Sequence, residues 1–147
     1  MSQMIFVNLP VTDLAKAKAF YSAIGFTNEP KFSNEQAAMM QLSDSIAVML
    51  LTHDFYSTFT QRPIAPPHGT SQVLLCLSAK SKADVDKMTE AAKAAGGKAD
   101  VSQEDQTGEG PMYGRDFEDL DGHQWSAMWM DPAFAAQGAH PVETADA

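Results

Sequence analysis

The chain has 147 residues, 10 Lys+Arg against 19 Asp+Glu, a formal charge of −9, 44% hydrophobic residues and a single cysteine. That length and apolar content suit one globular domain, or two small halves sharing a core, with no need of a disulfide or metal staple. Scattered lysines and arginines exclude a phosphate-gripping nucleic-acid surface, and no apolar run approaches the ~18 residues of a membrane span.

The first four residues lack a basic stretch of the signal-peptide kind, and Cys76 cannot form an internal disulfide. The expected location is therefore cytoplasmic, and the expected partners are small molecules or protein.

In chain order, Ile5 to Val11 reads as a strand with Val7, Leu9 and Val11 on one face. Thr12-Asp13 supplies an N-cap, Leu14 to Ile24 has helical apolar spacing, and Gly25 stops it. Strand-like runs follow at 26–32, 36–42 and 46–52. The segment from His53 to Thr70, with Pro63, Pro66 and Pro67, has no sustained period and reads as a linker. The pattern then restarts: a strand over 73–77, an alanine-rich helix over 84–95 closed by Gly96-Gly97, and strands near 98–101, 112–117 and 124–130. The tail beyond Asp131 is polar and small, and is expected to fray.

The chain is thus a βαβββ unit written twice. Both first strands precede a helix that stops at a glycine, Gly25 or Gly96. The last strands also correspond, Asp44 to Met49 paralleling Asp121 to Ser126.

Phe6-x-x-Leu9-x-Val11-x-Asp13-Leu14, then Phe20-Tyr21 and Gly25-Phe26, resembles the opening of a vicinal oxygen chelate module. The run Asp119-Leu120-Asp121-Gly122-His123-Gln124-Trp125 is similar to the turn before that superfamily's final strand, and the ending 125–132 resembles its subgroup labelled predicted lactoylglutathione lyases. This is the glyoxalase, bleomycin-resistance and extradiol-dioxygenase superfamily, and the likeness spans roughly residues 4–132. The resemblance implies an α+β fold of two tandem βαβββ modules, their curved mixed sheets forming a cup with helices outside. The modules are then 1–53 and 71–132, joined by a linker at 54–70 and followed by a flexible tail at 133–147. A homodimer is implied as well.

With Val7, Leu9 and Val11 on the helix side, strand alternation turns the other parity to the cup. The expected lining is Phe6, Asn8, Met49, Gln72, Leu74, Ser126 and Met128, with Cys76 beside them as a buried small hydrophobe. Phe55, Tyr56 and Phe59 in the linker are a lid over the cup or a docking patch for the neighbouring module or partner. Arg115 is an anion contact if it faces inward, or a surface ion pair with Asp116 or Glu118.

Metal-dependent relatives carry His or Glu at four positions, because divalent ions of this kind want imidazole and carboxylate ligands. Carried over by resemblance, those positions are Phe6, Met49, Gln72 and Ser126, which offer an aromatic ring, a soft thioether, an amide and a hydroxyl. No cofactor is expected, the alternative being a divalent metal. His53, His68, His123 and His140 show no paired-ligand spacing; His53 and His68 flank the linker and form a secondary site if they meet at its base. Gly108, Gly110 and Gly114 lack the strand-to-helix context of a phosphate loop, and Glu109 would repel phosphate.

Three readings follow. The first is a metal-independent small-molecule binder with an apolar cup, its −9 surface suited to cationic ligands. The second is a metal-dependent glyoxalase-type lyase or isomerase, or a dioxygenase. In the third, a dimeric interaction protein retains a vestigial cup.

Overall fold

The computed structural model describes residues 3–102 and 110–138. Gly108, Glu109, His140 and the rest of the tail lie outside them. The first module runs β1 (Ile5–Val11), α1 (Leu14–Ala23), β2 (Thr27–Glu29), β3 (Ala37–Gln41) and β4 (Ile46–Thr52). A short helix α2 (His53–Tyr56) follows. The second module runs β5 (Leu74–Ser78), α3 (Lys82–Ala94), β6 (Lys98–Ala99), β7 (Met112–Glu118) and β8 (Gln124–Met130), with α4 (Pro132–Gln137) after it. The two four-stranded sheets have orders β1-β4-β3-β2 and β5-β8-β7-β6. In each, the first strand pairs parallel with the last and the other pairings are antiparallel. The repeated sequence is a repeated topology.

Local chemistry sets the boundaries. The Asp13 side chain accepts from Lys16 N at 3.0 Å to start α1, and Ser81 does the same for Asp84 N at 3.1 Å, so α3 begins two residues before the expected start. Strand β2 is shorter than the run 26–32 because Pro30 has no N–H to donate and opens a 3₁₀ turn, Pro30–Phe32. Strand β6 pairs only over Lys98–Ala99. After it Asp100 takes a φ of +55°, and the Asp116 carboxylate accepts from Val101 N and Ser102 N. In the expected linker, Thr52 Oγ1 caps α2 through Phe55 N. In the expected tail, Asp131 caps α4, which has Pro132 in its first turn.

The helix-side parity is buried as expected at Leu9, Val11, Val48, Leu50, Leu77 and Trp125, which form one cluster with Phe20 and Tyr21 of α1; Phe117 of β7 joins it, which shows that strand's helix-side parity. That cluster draws on both modules, so the halves share one core across their helix sides. The Tyr21 ring meets Phe20, Phe26 and Trp125 edge to face, at centroid distances of 5.2, 5.3 and 6.0 Å. Opposite its helix the first sheet buries Ala37, Met39, Ala47 and Leu51 and exposes Phe6, while the second exposes Leu74 and Cys76; β1 and β5 are both edge strands.

Candidate functional site

The register arranges the expected lining in rows. On the first sheet Phe6 lies beside Ala47, and Asn8 beside Met49, which itself neighbours Met39. On the second, Leu74 pairs with Gln124, Cys76 with Ser126 and Ser78 with Met128. Phe6 is 47% exposed and Leu74 73%, while Met49, Ser126 and Met128 are half-buried. Cys76 corrects the reading: it is exposed, because β5 is an edge strand and nothing among the described residues covers this position. The first face is apolar and partly buried, the second mixes apolar residues with polar ones, Asp116 and Glu118 among them, and the two belong to separate sheets.

Gln72 departs from the row. It precedes β5 and lines, with Asn8, a cavity of about 460 Å³ at the junction of the modules. The end of β1, α2, the proline-rich segment and the Asp121-Gly122-His123 turn wall this cavity. His53, His68 and His123 all line it. Of the expected lid, Phe55 and Tyr56 sit half-buried on α2 and Tyr56 lines the cavity. Phe59 is 68% exposed, its ring 5.1 Å from that of Phe55 at 80°.

Arg115 points to the helix side. Its guanidinium bonds Asp86 at 3.1 Å, Glu90 at 2.6 Å and Asp100 at 2.7 Å. The ion-pair alternative is the one realised, although its partners come from α3 and the bend after β6 rather than from Asp116 or Glu118. Hydrogen bonds hold both aspartates below the ordinary carboxylate range, that of the Tyr113 hydroxyl first for Asp86 and that of Arg115 first for Asp100.

A buried polar joint, unseen as a unit in the sequence, fixes the turn that forms one cavity wall. Asp119 accepts from Tyr21 Oη at 2.6 Å, Asp121 N at 2.9 Å and His123 N at 2.8 Å. Trp125 Nε1 donates to Tyr21 Oη at 3.0 Å. Asp121 accepts from Thr12 N and Thr12 Oγ1, both at 2.9 Å. His123 Nε2 donates across the junction to the Pro10 carbonyl at 2.8 Å. Burial raises the Asp119 carboxyl and pushes the Tyr21 hydroxyl well up. The motif Asp119 to Trp125 was visible; its partner Tyr21, 98 residues away, was not.

The donor chemistry does not fit a divalent metal. Phe6, Met49 and Ser126 bring neither imidazole nor carboxylate, and Gln72 has left the strand. Among the described residues there is no group of three or more His, Cys, Asp or Glu able to hold an ion. No helix among them is long and apolar enough to cross a membrane.

Comparison with known proteins supplies the lineage. No curated protein matches the chain. Among solved structures, a hypothetical protein from S. aureus is 27% identical, with 88% of this chain and 95% of that one covered at a TM-score of 0.70. A glyoxalase/bleomycin resistance protein/dioxygenase family enzyme from Burkholderia phytofirmans PsJN is 18% identical, with 88% and 99% covered at 0.68. The fosfomycin resistance protein FosX from Mesorhizobium loti is 14% identical, with 92% and 96% covered at 0.60. These last two likenesses concern the fold alone, and none reaches the lactoylglutathione lyase subgroup. The family model for the Glyoxalase/Bleomycin resistance protein/Dioxygenase superfamily matches residues 3–127, across both modules, and the chain belongs to that superfamily.

Proposed function

We propose that the chain is a small-molecule-binding member of its superfamily that works without a metal, holding its ligand against the open sheet faces. The observation that carries this reading is the chemistry of those faces. On the first face Phe6 and Met49 flank Asn8; on the second Leu74 and Met128 lie with Cys76, Ser126 and Gln124, beside the carboxylates of Asp116 and Glu118, and no group of three or more metal-ligating side chains occurs among the described residues. Methionines suit such a surface because an unbranched thioether adapts to ligands of varied shape. With a net charge of −9, cationic ligands approach most favourably. A thermal-shift screen of cationic antibiotics and aromatic metabolites should return binders. Their effect should vanish in Ser126→Phe, which fills the second face. Binders that stabilise this variant as well as the parent chain would place the site elsewhere.

A homodimer completes the reading. Ile5 and Phe6 on β1, and Val73 and Leu74 at β5, are large hydrophobics left exposed at two sheet edges, the situation in which strands recruit a partner. A second copy would cover them and turn two open faces into an enclosed site. Sedimentation velocity should show a dimer at micromolar concentration, and Leu74→Lys should shift it to monomer. A monomeric parent chain would overturn this part.

A further inference from the structure

The junction cavity is chemically unlike the sheet faces. The chain has two arginines among 147 residues. Arg115 is consumed by three carboxylates on the far side of the second sheet. Arg62 lines the cavity and makes no ion pair among the described residues. All three histidines of the described residues line the same cavity. Its one acidic lining residue, Asp121, is buried and already engaged by Thr12 N and Oγ1. In a protein of charge −9, cationic and hydrogen-donating groups have gathered in one concave place with no uncommitted carboxylate.

One side of the wall is apolar and stiff. Pro63, Ile64, Pro66 and Pro67 form it, and the prolines restrict the segment before any ligand arrives. The segment is also anchored. His68 sits at a φ of +63°, rarely adopted outside glycine, and packs so closely on Gly122 that a Cβ there would come within 2.7 Å of His68 N. His68 Nδ1 lies 3.8 Å from Glu118 Oε1, and Ser71 bonds Gln124 at the floor. A strained residue held by specific contacts beside a cavity is what a formed site maintains.

We propose that this cavity is a second binding site, specific for a small organic anion, in which Arg62 takes a carboxylate and the proline-isoleucine wall takes an apolar body. A planar guanidinium matches a carboxylate through two parallel N–H donors, which an ammonium cannot reproduce. The volume of about 460 Å³ falls within the range of small-molecule pockets. The site shares Asn8 with the first sheet face but is otherwise distinct from the sheet-face site, because Phe6, Met49, Leu74, Ser126 and Met128 do not line it.

The test uses the full chain and three probes sharing one ring system: 2-naphthoate, 2-naphthalenemethanol and 2-naphthylmethylammonium, each titrated calorimetrically. Naphthoate should bind at least tenfold more tightly than the alcohol or the ammonium. Arg62→Gln should weaken naphthoate at least tenfold without moving the melting temperature, since Arg62 is exposed. Ser126→Phe should leave naphthoate binding unchanged, separating this site from the sheet-face site. Three results would each overturn the proposal: equal affinity for acid and alcohol, full affinity in Arg62→Gln, or no naphthoate binding. Loss of naphthoate binding in Ser126→Phe would do so as well, by assigning the anion to the sheet face.

Discussion

Asp119→Ala should destabilise the fold by about 3 to 5 kcal/mol, because three donors lose their acceptor in the interior at about 1–3 kcal/mol each. Tyr21 Oη, Asp121 N and His123 N all converge on this carboxylate, and Tyr21 is fully buried. Against a total stability of roughly 5–15 kcal/mol for a domain of this kind, that is a large fraction. The loss also spreads, since the tyrosine belongs to the first module and the turn to the second. Asp119→Asn keeps an acceptor oxygen and should recover part of it. Urea denaturation of the three proteins measures the order, and equal midpoints would refute the joint's role.

The same residue sets a pH dependence. Burial raises the folded-state pKa of Asp119 above its unfolded value, so the folded chain holds this proton more tightly. The contribution is complete below the unfolded pKa and is lost as pH rises through the folded one. Asp119→Asn lacks that step. Its stability relative to the parent chain should therefore improve from pH 4 upward until the folded carboxyl is ionised, then level off.

Gly97→Ala should be the second severe substitution, at about 3 kcal/mol, the upper part of the range for overpacking a close-fitted core. A Cβ at this position would press on the Glu118 carbonyl oxygen, lie 2.8 Å from Phe20 Cε2 and 3.1 Å from the Ala92 carbonyl oxygen. Two of those three neighbours are backbone, which cannot rotate away. Phe20 is a fully buried ring of α1 in the shared core, so the strain falls on the contact between modules. Thermal denaturation should show a lowered melting temperature. Gly25→Ala is the contrast: no atom lies within 4 Å of its Cβ, so its cost comes only from a φ of +114°. Equal losses at the two glycines would contradict the packing account.

What the sequence disclosed follows from the range of the interactions involved. Period-2 and helical spacing reflect burial on one face, so the doubled βαβββ order, both helices and the helix-side parity of Leu9, Val11, Trp125 and Leu77 were legible. Strand ends were less so, because Pro30 and Asp100 act through backbone geometry rather than hydrophobicity. The Pro-rich segment read as featureless because it carries no periodic burial: it lines a cavity, and α2 beside it is a single capped turn. Cys76 was expected to be buried because parity gives a face but not what covers it. The polar joint needed Tyr21 and Asp119 in one place, and no local pattern announces a contact over 98 residues. Arg62 likewise had no local signal. Its meaning depends on Arg115 being neutralised elsewhere and on three histidines, distant in sequence, lining the same cavity.

The central claim, ligand binding on the sheet faces without a metal, is tested most directly by repeating the ligand titration in two buffers. One contains excess EDTA and the other contains manganese, nickel, zinc or iron(II) in turn. The same affinity is expected in EDTA as with any of the four ions. Binding that appears only when an ion is added would contradict it.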